Sequence, residues 1–425
     1  MILTWTTPAT QDRDVLDTLN RASADIYNRV LVRHWRFYRK HGVWMSTSKA
    51  ERVDDALAQT DSILHSHSID AAQQGFYKAI QTARELRKQD ASARFPYKRK
   101  RFRSTLFKSS QIKRESHQVR LALANRQYLF VTLPTPLAQQ EKAEVKEARL
   151  VYNRQSCSYE WNLVVEDGLE TPVLAEGGVM GVDLGEIHPA VCATPQSAAI
   201  ISCRELRSTV QHRNKCLAEL QSKMSKCQRY SARWHKLRRA KVKRRARWES
   251  KVSDLEHKIS RGVVEEAVRQ GVKVIALGDV RNIGDGKRLN AKSQQKISQW
   301  SHGRMRSYIT YKAARYGIAV VLVSEAYTSQ TCPKCGHKHK PKGRVYRCAN
   351  EVCGFVGHRD VVGASNIWSK HAHNQVGGMY PPSVRALHPF DCRKTKQTNT
   401  KVSGVCASSA PCERSHVAWV QLSLF

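Results

Sequence analysis

Four cysteines in two close pairs constrain this chain more than any other feature. Cys332 and Cys335 enclose two residues, and Gly336 follows them. Twelve residues later, Cys348 and Cys353 enclose four more. Two such pairs can close a tetrahedral thiolate site, so the segment "CPKCGHKHKPKGRVYRCANEVCG" predicts a zinc ribbon. Sulfur fills all four positions, which makes this zinc a closed, structural one. His337, His339 and His358 are left over and read as solvated ribbon histidines. The other eight cysteines (Cys157, Cys192, Cys203, Cys216, Cys227, Cys392, Cys406 and Cys412) are scattered, as inert core or surface thiols would be.

Charge supplies the second constraint. The 425 residues carry 72 Lys and Arg against 36 Asp and Glu, a formal charge of +36. An excess of this size repels itself unless a polyanion neutralises it, and it is clustered, which points to nucleic acid. "RFPYKRKRFRSTLFKSSQIKR" (94–114) holds nine basic and no acidic residues, with Phe95, Tyr97, Phe102 and Phe107 between them. That mixture suits phosphate contact with base stacking. Residues 204–251 hold 17 Lys or Arg against three Glu at helical spacing. Arg99, Arg101, Arg103, Arg238, Arg239, Arg244 and Arg245 are the candidate phosphate ligands. There is no run of eighteen apolar residues and no basic amphipathic anchor, so no membrane partner is expected. The first residues, MILTWTTPATQDRD, lack the charged-then-apolar pattern of a leader, so the expected compartment is reducing and cytoplasmic, on the nucleoid.

Periodicity organises the rest. Residues 1–8 read as a strand and 11–86 as largely helical, with apolar residues three and four apart. Short strands follow at 129–134, 148–155 and 159–167; with the first they can form a small antiparallel barrel interrupted by the helices. Residues 166–178 read as a linker. Three short strands over 179–206, the basic helical region, a helix over 252–271, a strand at 272–277, a helix around 296–316 and a strand at 317–325 give the element order of an RNase H-like sheet. Residues 371–425 show little periodicity and read as a mostly disordered tail; the terminal "HVAWVQLSLF" is its one strand-like stretch.

Two carboxylates stand out. "GVDLG" puts Asp183 in an apolar strand, where a buried acid is costly unless it is paired or metal-bound. "HRDVVGASNI" puts Asp360 at the start of a helix just after the ribbon, where it can also serve as an N-cap. With "LHSHSIDAAQQGFYKA", "RFPYKRKRF", "GVDLGEIHPAV", "ISQWSHGRMRSYITYKAARYGI" and "EAYTSQTCPKCG", these motifs give the chain, over about 360 residues, a sequence that resembles the TnpB family of RNA-guided nucleases, transposon-encoded relatives of the type V CRISPR effectors.

The resemblance implies a multidomain α+β protein. A barrel (1–10 and 115–170) carries an inserted helical recognition lobe with the basic segment (11–114). A RuvC-like nuclease domain (179–326 and 354–372) carries the zinc ribbon (327–353), and the tail covers 373–425. It also implies a structured guide RNA, a short duplex motif beside the double-stranded DNA target, and cleavage by two Mg²⁺ ions held by three carboxylates. Monomer and homodimer are both open. Asp183 matches the first carboxylate and Asp360 the third. The second is normally a Glu just before an Asp at the end of the fourth strand, and here that pair reads Gly278-Asp279.

Three readings of this gap compete. Glu325 ends the next apolar strand, "IAVVLVSE", and strands about 4.8 Å apart bring it within reach of the same metals; some family members carry the glutamate at a relocated position. Asp279 can shift in by one residue, but alternate side chains face opposite ways, so that needs a bulge. In the third reading the site is dead and the protein regulates by guided binding. We take Asp183, Glu325 and Asp360 as the expected set, with Asp279 the alternative for the second. The order Asp183, Asp279, Glu325 also fits a DDE transposase, which leaves Asp360 idle.

Overall fold

The chain divides between residues 170 and 171 into two units, each with its own core. The computed structural model describes residues 2–45, 54, 62–153, 156–168, 170, 172, 176–281 and 290–389.

The first unit opens with β1 (Ile2–Pro8) and α1 (Arg13–His41). Asp12 caps α1 by accepting from the Asp14 N–H, and Gly42 ends it at a φ of 70°, a left-handed turn that a glycine takes without strain. Next come α2 (Ser66–Gln89), β2 (Thr105–Lys108), β3 (Ile112–Glu115), β4 (Gln118–Ala122), β5 (Tyr128–Thr132), the single turn α3 (Thr135–Ala138), β6 (Glu144–Asn153) and β7 (Ser158–Glu166). In β7, alternate residues Tyr159, Trp161, Leu163 and Val165 are buried, the period of a strand with one face in the core. The expected barrel strands lie in two antiparallel sheets, β1-β7-β6-β2 and β3-β4-β5, which share one apolar core. Among the described residues their pairing does not close into a ring. Residues 105–108 and 112–114, expected within the helical lobe, belong to strands of these sheets.

The second unit contains β8 (Gly178–Asp183), β9 (Ala190–Ala193), β10 (Ala198–Ile201), α4 (Arg204–Ser225), α5 (Ala232–Arg269), β11 (Val272–Asp279), α6 (Ala291–Gln299), α7 (His302–Ala314), β12 (Ala319–Ser324), β13 (Val345–Arg347), β14 (Val356–His358), α8 (Arg359–His373) and β15 (Val384–Leu387). Six strands form one sheet in the order β12-β11-β8-β9-β10-β15. The neighbours β8, β11 and β12 run parallel, and β9 is antiparallel to both β8 and β10. α5 and α7 cover one face, where Ile275 and Leu277 of β11 meet Ile259, Val263 and Ile309. α8 covers the other, where Ala276 and Val323 meet Ile367.

Two expectations change here. The single basic helical region is two helices, because the chain turns between Ser225 and the Ser231 cap of α5. The tail expected from residue 373 is ordered at its start: α8 runs to His373, and β15 pairs parallel with β10 at the sheet edge. Edge pairing needs backbone groups and no apolar period, so composition concealed it. Residues 390–425, including the terminal stretch, lie outside the described residues.

Candidate active site

Strand alternation decides which residues face α8. Ala276 packs against α8 and Leu277 against α5, so Gly278 returns to the α8 side and Asp279 turns away. The register aligns the strand ends: Leu277 lies beside Val182, and Gly278 beside Val323. Asp183 therefore ends β8 next to Gly278, and Glu325 follows β12 two residues beyond Val323. Gly181 lets β8 approach α8 closely. A Cβ there would meet the Ala364 carbonyl oxygen and lie 2.7 Å from the Trp368 nitrogen.

Asp183, Glu325 and Asp360 come together at this end of the sheet. A Cβ placed on Gly363, one turn along α8 from Asp360, would stand 2.6 Å from Asp183 Oδ2. On Gly278 a Cβ would press on Glu325 Oε1 and lie 2.8 Å from its Cδ and Cγ. The Glu325 side chain thus fills the space that a side chain at 278 would use. Burial pushes the Asp183 carboxyl above the ordinary carboxylate range, and the charge of Asp360 pushes it further. Glu325 is raised in the same way, by burial first and then by Asp183 and Asp279. Its Oε1 is buried and has no hydrogen-bond partner. Three crowded acids, whose mutual repulsion and burial outweigh the nearby charge of Arg359, one with an orphaned oxygen, fit a site for hard divalent cations.

Asp279 is occupied otherwise. Arg281 holds its carboxylate through two oxygens at 2.6 to 3.0 Å, and this ion pair keeps its pKa below the usual value. Two histidines also stand at Asp360. His358 was expected to be solvated, yet its Nδ1 is buried; His188, on the β8–β9 connection, carried no sequence signal beyond its place five residues after Asp183.

The cysteines also converge. Their sulfurs all lie within 4.8 Å of one another, with Cys332–Cys353 at 3.7 Å and Cys335–Cys348 at 3.5 Å. A tetrahedron with Zn–S bonds of about 2.3 Å has edges of about 3.8 Å. The fully buried Tyr346 of β13 and Cys332 pack against Val362 of α8, so the cysteine segment rests on the helix that carries Asp360.

The basic candidates divide. Arg238, Arg239, Arg244 and Arg245 are exposed on α5, although Arg245 also bonds Glu249 at 2.7 Å. Arg99 and Arg101 are exposed on the irregular segment before β2. Arg103 points inward. Its guanidinium lies against Gly75 and 5.5 Å from the Tyr27 ring, and burial lowers its pKa. Phe107 is fully buried and Phe95 packs beside Trp35 and Trp44, which leaves Tyr97 and Phe102 as the exposed aromatics of that segment.

Against known proteins, residues 162–284 match the family model OrfB_IS605, described as "Probable transposase", and residues 302–367 match the "Cas12f1-like, TNB domain". TnpB-like protein MJ0751 of Methanocaldococcus jannaschii is 34% identical over 137 residues, 32% of this chain and 48% of that one. Over these segments the chain is similar to TnpB-family proteins and to the type V effectors. The CRISPR-associated endodeoxyribonuclease Cas12f1 of Sulfoacidibacillus thermotolerans, one of those effectors, is 30% identical over 115 residues, 26% of this chain and 25% of its own. The chain spans about half the length of these curated relatives or less. A cryo-EM structure of a Cas12f1–sgRNA–target DNA complex superposes on 84% of this chain and 82% of its own with a TM-score of 0.56 at 15% identity. The mixed α/β multidomain fold of this chain therefore resembles that of Cas12f1. No helix among the described residues is long and apolar enough to cross a membrane.

Proposed function

We propose that this chain is an RNA-guided DNA endonuclease whose second unit is an RNase H-like, RuvC-type nuclease domain with an inserted zinc ribbon. The observation that carries the reading is the side chain of Glu325, which lies over Gly278 beside Asp183 with a buried, unpartnered oxygen. Asp183, Glu325 and Asp360 would hold two Mg²⁺ ions, and Cys332, Cys335, Cys348 and Cys353 a structural Zn²⁺. When bound, such a Mg²⁺ pair activates water and stabilises the leaving oxygen of a phosphodiester. The three carboxylates, fixed by strand ends and a helix, keep their positions before substrate arrives, and α8 closes one side of the site to water. Arg281 neutralises Asp279 and so removes a competing ligand. The exposed arginines of α5, with Arg99 and Arg101, bind guide RNA and its duplex with DNA through phosphates, while base pairing selects the sequence and the protein reads a short flanking motif.

The names of relatives support this reading: two are an endodeoxyribonuclease and a complex with sgRNA and target DNA. The test is plasmid cleavage by protein purified with its co-expressed RNA, in Mg²⁺. Cleavage by wild type that is lost in Asp183→Ala and Glu325→Ala and retained in Asp279→Ala is the expected result. Tight guided binding without cleavage by wild type overturns it and favours a regulator that acts by occupancy.

A further inference from the structure

We propose that Asp360 is shared with a second, chemically different metal site, completed by His188 and His358, which takes a first-row transition cation such as Mn²⁺ in preference to Mg²⁺. The proposal deepens the nuclease reading and rests on it only for what the ion does. The site itself stands on geometry: one ring nitrogen from each histidine and one Asp360 oxygen all lie within 4.8 Å of one another.

Two chain segments deliver these groups. His188 comes from the β8–β9 connection, His358 ends β14, and Asp360 lies in the first turn of α8. The two imidazoles meet edge to face, with centroids 5.4 Å apart, so they converge without stacking. His188 Nδ1 lies 3.1 Å from Ser202 Oγ, and Nε2 lies 3.2 Å from Arg344 Nη1. A guanidinium can only donate, so Nε2 accepts and the ring proton is on Nδ1, directed at the Ser202 hydroxyl. This is close to the state a ligating histidine adopts: neutral, with one nitrogen oriented by an outer hydrogen bond and the other carrying a lone pair, here engaged by Arg344. Arg344 is an exposed side chain on that lone pair, and it can withdraw when an ion binds. His358 supplies an independent sign. Its Nδ1 is buried and has no hydrogen-bond partner, an unusual state for a ring nitrogen.

Ligand chemistry sets the preference. A pure carboxylate set suits Mg²⁺, whereas imidazole nitrogen shifts the preference to the first-row transition ions, least strongly to Mn²⁺, which stands lowest in their affinity order. The environment is mixed, since Arg344 and Arg204 lie near His188, and Arg359 and Asp183 near Asp360. A cation between the two histidines and Asp360 therefore depends on direct ligation, because the surrounding field gives it little help.

Mn²⁺ titration of the full chain with its zinc retained, followed by EPR, tests the site, with electron spin-echo modulation to detect ¹⁴N couplings. Wild type should bind Mn²⁺ with imidazole nitrogen couplings that equimolar Mg²⁺ does not displace. His188→Ala and His358→Ala should each weaken Mn²⁺ binding at least about tenfold. Oxygen-only ligation in wild type, or unchanged Mn²⁺ affinity in both histidine variants, overturns the proposal. If a variant fails to fold, the wild-type spectrum alone decides. Nitrogen couplings in a protein that never cleaves guided DNA support this site while overturning the nuclease reading.

Discussion

The cysteine cluster and the carboxylate cluster both depend on α8, yet they are assembled in opposite ways. The four sulfurs come from one stretch of 22 residues, residues 332–353, whose two turns bring them together locally. The three carboxylates come from positions 183, 325 and 360, and only the parallel alignment of β8, β11 and β12 under α8 joins them. A local site announces itself by spacing. A site made by a sheet is visible only once the register is known, and its ligands can migrate between neighbouring strand ends while the cluster keeps its place. On the proposed reading, the gap at Gly278 and the acid at Glu325 express that freedom.

The difference can be broken experimentally, and the largest effect belongs to the cysteines. Structural zinc contributes about 10 kcal/mol or more to folding of small zinc modules. Cys332→Ser or Cys348→Ser should therefore lose zinc and unfold residues 331–358, as read by metal content and limited proteolysis. Because Tyr346 and Cys332 pack on Val362, that loss should also disturb Asp360. Zinc-free variants with undiminished guided cleavage would show that the two clusters are independent.

Next in size is the loss of a carboxylate. Asp183→Ala, Glu325→Ala or Asp360→Ala should each slow cleavage by on the order of 100- to 1000-fold, the worth of one preorganised electrostatic contact. Asp279→Ala, which removes only the partner of Arg281, should leave the rate near that of wild type.

A smaller effect separates stability from catalysis. Asp183 holds its proton more tightly folded than unfolded, because burial and Asp360 raise its pKa. A raised carboxyl pKa makes metal-free stability fall as pH rises from the ordinary carboxylate range through the raised value. Asp183→Asn should thus raise the melting temperature of the metal-free protein at neutral pH by a few degrees. It should also abolish the extra stabilisation that Mg²⁺ gives wild type. A lower melting temperature without metal would mean that the repulsion is compensated elsewhere.

The smallest effects concern the basic surface. Arg238→Ala, Arg239→Ala and Arg244→Ala should weaken RNA binding modestly, each lowering the slope of affinity against salt by about one. Arg103→Ala should leave that slope unchanged and lower thermal stability instead, since its guanidinium packs against Gly75 and Tyr27.

What could be read from sequence follows the same division. The cysteine spacing, the apolar strand around Asp183 and the basic periodicity of 204–251 are local signals, and they correspond to the sulfur cluster, to β8 and to the two helices α4 and α5. Phe107 and Arg103 were hidden because nine basic residues in 94–114 masked the alternation of Thr105–Lys108, whose buried positions belong to a strand. β15 was hidden because four residues pairing at an edge carry no period. His188 and His358 meet only through tertiary contact, so no spacing rule finds them. Glu325 was visible as an acid at a strand end, but its place over Gly278 required the register of β11 against β12.

The most direct test returns the acid to the other strand. Gly278→Glu alone should cut cleavage, because its side chain collides with that of Glu325, whose Cδ and Cγ are 2.8 Å from the new Cβ. Glu325→Ala alone should remove a metal ligand. The combination Gly278→Glu with Glu325→Ala should recover guided, Mg²⁺-dependent cleavage well above either single variant. A double variant no more active than Glu325→Ala, together with a Glu325→Ala variant that cleaves like wild type, would contradict the displacement of the second carboxylate from 278 to 325.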